Sequence, residues 1–124
     1  MTAALVQRLG VAAALASGLV GQAWAHAHLR SASPVTDSIV EVSPAELDLH
    51  FSEGLELAFT GLTLSSTRAG TIATGPARLA ASDPSMLVVP LLGPLGAGIY
   101  TVEWHALSAD GHKTQGHYVF SVKP

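Results

Sequence analysis

From residue 29 onward the chain alternates apolar and polar side chains in short runs, with a period of two instead of the 3.6 of a helix. The cleanest run is 46–52, where Leu47, Leu49 and Phe51 fall on one side and Asp48 and His50 on the other. That is the pattern of a half-buried strand, and Glu53-Gly54 ends it. A second clear run sets Tyr100, Val102, Trp104 and Ala106 against Thr101, Glu103 and His105. It is followed by the polar turn 108–112 and a closing strand over 114–122 with Tyr118, Phe120 and Val122 on one face. The pair predicts a hairpin.

The remaining runs are shorter. Residues 29–33 predict an edge strand closed by Pro34, with Asp37 and Ser38 in the turn beyond it. Ile39, Val40 and Val42 form a β-branched run broken by Ser43-Pro44. A strand is expected over 59–65 with Leu62 and Leu64 inward, then a turn at Arg68-Ala69-Gly70. Residues 71–85 are weakly patterned and hold Gly75-Pro76 and Asp83-Pro84. A strand is expected over 86–92, with Pro90 at an edge or at the strand's end, followed by the loop 93–98. No segment of this region carries helical periodicity. About seven short strands separated by Gly/Pro turns in about 100 residues predict an all-β fold: an antiparallel, immunoglobulin-like Greek-key β-barrel or sandwich.

The first 25 residues are different in kind. Arg8 precedes an apolar run over 9–20, and Ala23-Trp24-Ala25 has the small-x-small form cut by signal peptidase. The run is too short for an ordinary membrane-spanning helix. The expected organisation is therefore a cleaved secretory signal over 1–25 and one domain over 26–124, with the mature protein soluble, monomeric, extracytoplasmic and not membrane-embedded.

Charge and composition narrow the chemistry. The chain carries a net charge of −3, and Arg8 is the one charged residue of the leader, so the remainder is more acidic still. That excludes the basic stripe expected of a nucleic-acid binder. There is no cysteine, so a metal site must use histidine, carboxylate or methionine. All six histidines follow residue 25. Of the two methionines, Met1 leaves with the signal and Met86 remains, so no methionine-built Cu(I) site is expected. No Gly-x-Ser-x-Gly elbow, phosphate loop or dinucleotide fingerprint occurs.

Cleavage after Ala25 makes His26 the first residue, with a free α-amine beside its imidazole. The two can chelate one metal, because an amine titrating near pH ~8 and an imidazole near ~6.5 both yield their protons to a metal readily at neutral pH. Asp110-Gly111-His112 offers a carboxylate and an imidazole two residues apart. Joined to His26 they make three nitrogens and one oxygen, a set suited to tetragonal Cu(II); alone, Asp-Gly is equally a plain hairpin turn. Glu53 stands at a strand end, as an outer ligand, an orienting partner or an ordinary solvated carboxylate. His28 permits a competing local mode, in which His26-Ala27-His28 wraps Cu(II) or Ni(II) through two backbone amides. His50, His105 and His117 are read as surface histidines.

Taken together, His-x-x-Leu with Ser-x-Ser-Pro (26–34), Leu-x-Leu-x-Phe-Ser-Glu (47–53), Gly-x-Tyr-x-Val-x-Trp (98–104), Ser-x-Asp-x-His (108–112) and Gly-x-x-x-Phe-x-Val (116–122) resemble the CopC-type periplasmic copper-resistance proteins. The resemblance spans the whole of 26–124 in the same order. It implies a Greek-key β-barrel, one bound Cu(II) and no catalysis, with His26, Asp110 and His112 as ligands and Glu53 as the nearby strand-end glutamate. Some members hold Cu(I) in a methionine-rich loop; residues 66–85 stand in its place without a methionine. Relatives are paired with or fused to a CopD-like inner-membrane protein. As the chain stops at Pro124, such a partner is expected to be a separate protein.

Two other classes compete. One is an oxidative copper enzyme of the kind that also chelates copper with an N-terminal histidine, which needs an open coordination position and a broad flat face. The other is a metal-free immunoglobulin-like interaction module.

Overall fold

A computed structural model describes residues 27–124, so the expected signal over 1–25 and His26 lie outside the described residues. Two β-sheets pack face to face. One has the strand order β1-β3-β7-β6 and the other β2-β9-β8-β4-β5. The strands are β1 (Leu29–Ser33), β2 (Ile39–Val40), β3 (Glu46–Phe51), β4 (Gly61–Ser66), β5 (Gly70–Ile72), β6 (Arg78–Ala80), β7 (Asp83–Pro90), β8 (Gly98–Leu107) and β9 (Lys113–Val122). The chain crosses repeatedly between the sheets, as a Greek key requires. All pairings are antiparallel except that of β2 with β9.

The alternating runs supply the core. Leu47, Leu49 and Phe51 of β3 face Val102 and Ala106 of β8 and Tyr118, Phe120 and Val122 of β9, all buried in one cluster with Leu64, Leu87 and Val89. Phe51 meets the Trp104 ring edge-on, with centroids 5.1 Å apart, and Tyr100 stacks on Phe120 at 5.5 Å. β8 and β9 form a regular hairpin, in register from Gly98↔Val122 to Leu107↔Lys113.

The structure departs from the sequence reading at the weaker runs. The strand expected over 59–65 starts at Gly61. A 3₁₀ turn, Leu57–Phe59, precedes it and leaves Phe59 64% exposed. The weakly patterned stretch contains β5 and β6, three residues each at the sheet edges, where little is buried and no periodicity arises. β7 runs from Asp83 to Pro90, so Asp83-Pro84 belongs to the strand and not to the weakly patterned stretch ahead of it. These short edge strands raise the count above the seven expected. Among the described residues no helix is long and apolar enough to cross a membrane.

Candidate metal site

The turn joining β8 to β9 is built around Ser108, which is fully buried although polar. Its backbone N–H donates to the His112 carbonyl at 3.0 Å, and its hydroxyl receives the His112 N–H at 3.2 Å. The same hydroxyl donates to Asp110 Oδ1. Gly111 adopts φ +93°, a left-handed conformation that glycine tolerates without strain, and its N–H closes on the Ser108 carbonyl at 2.9 Å. The result turns both chemistry-bearing side chains to one side: His112 Nδ1 lies 3.1 Å from Asp110 Oδ1, with both side chains about half exposed. The hydrogen bond from Ser108, then that from His112, hold the Asp110 carboxyl below its ordinary pKa, so it stays an anionic donor.

Two other segments converge on this turn. After β3, the Gly54 carbonyl accepts the Ala109 N–H at 2.9 Å, and Glu56 N–H donates to the Leu107 carbonyl at 2.9 Å. This brings the exposed Glu53 to the same end of the sandwich. At the start of the described chain, Ala27 is wholly buried and its carbonyl accepts the Thr114 hydroxyl at 2.9 Å. His28 N–H donates to Ser52 Oγ at 2.8 Å, and its carbonyl accepts the Ser52 N–H at 2.8 Å. The chain therefore enters the fold beside the turn, at a position fixed from both strands.

Of the residues singled out from sequence, the structure joins Asp110 and His112. Glu53 and His28 share their end of the molecule, but among the described residues no three His, Asp or Glu side chains gather closely enough to hold a metal. A carboxylate and one imidazole are half of a Cu(II) square plane, so the pair fits copper only with donors from elsewhere. Of the three histidines read as surface residues, His105 and His117 are exposed on β8 and β9, and His50 is engaged by Asp83 at 3.4 Å. The sequence reading treated Ser108 as one polar turn residue and gave Ser52 and Thr114 no role. The roles of Ser52 and Thr114 rest on contacts 24 and 87 residues apart, to which local pattern is blind.

The family model described as "CopC domain" matches residues 29–123. Protein YobA of Escherichia coli strain K12 is 46% identical over 100 residues, which are 81% of this chain and 81% of that protein. Copper resistance protein C of Pseudomonas syringae pv. tomato is 35% identical over 126 residues, 96% of this chain and 99% of that protein. The crystal structure of CopC from Methylosinus trichosporium OB3b aligns with a TM-score of 0.73 at 31% identity, covering 80% of this chain and 95% of that one. By its sequence, over nearly all the described residues, and by its fold, this chain belongs to the CopC family.

Proposed function

We propose that this chain is a periplasmic copper-binding protein, not an enzyme. It holds one Cu(II) through the α-amine and imidazole of His26, exposed by cleavage after Ala25, together with Asp110 and His112. The ion is cargo, taken up for sequestration, resistance or delivery to a CopD-like membrane partner. Glu53 acts as a neighbouring carboxylate that orients an imidazole or accepts a hydrogen bond.

The observation that carries this reading is the anchoring of Ala27. Its burial and its bond to Thr114, two residues beyond His112, support delivery of the preceding residue to the Asp110–His112 pair. The same bonds weigh against the local His26-Ala27-His28 mode. That mode needs the His28 backbone nitrogen as a ligand, and here its N–H is committed to Ser52 Oγ.

The test is a Cu(II) titration followed by EPR on two forms of the chain, one beginning at His26 and one with a single glycine ahead of it. The first is expected to take up one tight equivalent. The second should bind at least about tenfold more weakly, with a changed spectrum, as for loss of a metal-site group. Replacing His112 by Ala in the first form should weaken it likewise; the local mode would be indifferent. Equal binding by the two forms, or none by either, overturns the proposal.

A further inference from the structure

The 3₁₀ turn Leu57–Phe59 stands beside the metal-site turn and holds its place without burying any of its residues. Backbone bonds fix it. Glu56 N–H donates to the Leu107 carbonyl at 2.9 Å, and Leu107 N–H donates to Thr60 Oγ1 at 3.1 Å, so both flanks of the turn are tied to the last residue of β8. Within the turn, Phe59 N–H closes on the Glu56 carbonyl at 3.1 Å and Thr60 N–H on the Leu57 carbonyl at 3.2 Å. The side chains are left outside, with Leu57 38% and Phe59 64% exposed. A lone exposed apolar side chain is ordinary; here the setting is not. A cavity of about 510 Å³ opens beside Phe59, lined by Ala58 and Phe59 of the turn, His105 and Ala106 of β8, and Lys113 and Thr114 of β9. No lining residue is a carboxylate, in a chain whose net charge is −3. Lys113 is exposed and brings a full positive charge, and the exposed His105 brings a ring N–H donor. The cleft also borders the candidate metal site: Lys113 follows His112, and the Thr114 hydroxyl holds the Ala27 carbonyl at 2.9 Å.

We propose that this cleft is a docking surface for an acidic, apolar segment of a partner protein, one that carries a carboxylate beside a leucine-like or phenylalanine-like side chain. The apolar side chain packs on Phe59, whose large rigid ring is the kind of anchor that dominates protein interfaces. The carboxylate pairs with Lys113 and accepts the His105 N–H. Charge complementarity selects this occupant, because a basic segment would meet Lys113 with no carboxylate in the cleft to offset it. It also weighs against a second copy of the chain. A two-fold contact here would repeat the same patch on both sides and crowd Glu53, Glu56 and Asp110 of one copy against those of the other. The partner's role, to receive or supply the ion, rests on the proposed function: docking here brings it to the end of the molecule where the Cu(II) would be held. The recognition itself uses none of the proposed Cu(II) ligands.

The test uses the full chain without metal and two end-blocked peptides as probes, Glu-Leu-Glu-Leu-Glu and Lys-Leu-Lys-Leu-Lys, read by NMR of the backbone amides. The acidic peptide is expected to shift the Ala58, Phe59, Lys113 and Thr114 amides together, and the basic peptide to leave them in place. Phe59→Ser should weaken acidic-peptide binding about tenfold, as for loss of an aromatic anchor, and Lys113→Glu by a similar factor. Added salt should weaken wild-type binding. Phe59→Ser should leave the Cu(II) EPR spectrum unchanged. Peptide binding is measured without metal, so failure of the Cu(II) site and failure of the docking surface read out separately, and the wild-type shifts stand even if a variant folds poorly. No amide shift at millimolar acidic peptide, equal binding of the two peptides, or equal binding by Phe59→Ser and the wild type overturns the proposal. So does a dimer in analytical ultracentrifugation that Phe59→Ser dissolves, which assigns the face to a second copy.

Discussion

Ser108 shows how much of the proposed metal site depends on a residue that is not itself a proposed ligand. Its hydroxyl serves Asp110 and the His112 backbone at once, from a fully buried position. Ser108→Ala strips both partners of an acceptor or donor and leaves the turn to find its own geometry. We expect Cu(II) affinity, measured by chelator competition, to fall about 10–100-fold, as for other outer groups of metal sites. The accompanying loss of stability in thermal melts should be only about 1–2 kcal/mol. Unchanged affinity would mean that Asp110 and His112 are set by the metal instead of by the fold. Gly111→Ala attacks the same turn through the backbone, because at φ +93° a Cβ costs about 1–2 kcal/mol. That Asp110 and His112 lie together, 3.1 Å apart, was legible from their spacing, although the spacing alone read equally as a plain hairpin turn. Ser108 was visible as a turn residue only. Its burial depends on the segment after β3 pairing with it through the Leu55↔Ser108 bridge, a contact that no local window contains.

At the scale of elements, legibility followed burial. Runs with one dry face, β3, β8 and β9, could be read to within a residue or two, because burial of every second side chain imprints the period. β5 and β6 sit at sheet edges with no fully buried residue, so they left no periodic imprint, and Phe59 misled because an exposed aromatic mimics a strand residue. The β8–β9 hairpin also carries a packing constraint that its pattern conceals. Gly116 faces Trp104 in the ladder, and a Cβ added there would stand 2.5 Å from the indole Cζ2 and 2.8 Å from Cε2. The ring therefore lies on glycine backbone on one side and meets Phe51 on the other. Gly116→Ala must displace the indole, and overpacking of this kind costs about 1–3 kcal/mol. Trp104 fluorescence should shift and the melting temperature should fall; an unchanged melt would show that the ring has free room to move.

At the scale of the whole molecule, burial sets two polar groups of the two sheets against the solvent they have lost. Asp48 Oδ1 on β3 and the Tyr118 hydroxyl on β9 are both buried without a hydrogen-bond partner. Burial chiefly, and then the nearby Glu46 carboxylate, raise the Asp48 pKa above its ordinary 3.8, with Arg78 only partly offsetting them. Burial chiefly, and then the Asp48 charge, push the Tyr118 hydroxyl upward. For Asp48 the native state binds its proton more readily than the unfolded chain does. Its ionisation therefore weakens the fold above the native pKa, and stability from this group rises as pH falls towards 3.8. Asp83 and Asp110 have the opposite sign, their pKa values being lowered, and their contribution is lost as pH falls below 3.8. Comparing the wild type with Asp48→Asn cancels those two and isolates Asp48. The variant keeps the shape and removes the charge, so at pH 7 it should be more stable by about 0.5 kcal/mol, the figure discounted for partial exposure. That corresponds to about 2–4 °C in melting temperature for a domain of this size. The gap should close as the pH is lowered to 3.8 and stay closed below it. A variant less stable at pH 7, or a gap that is constant with pH, would show that Asp48 is held by its attraction to Arg78 instead of strained by burial.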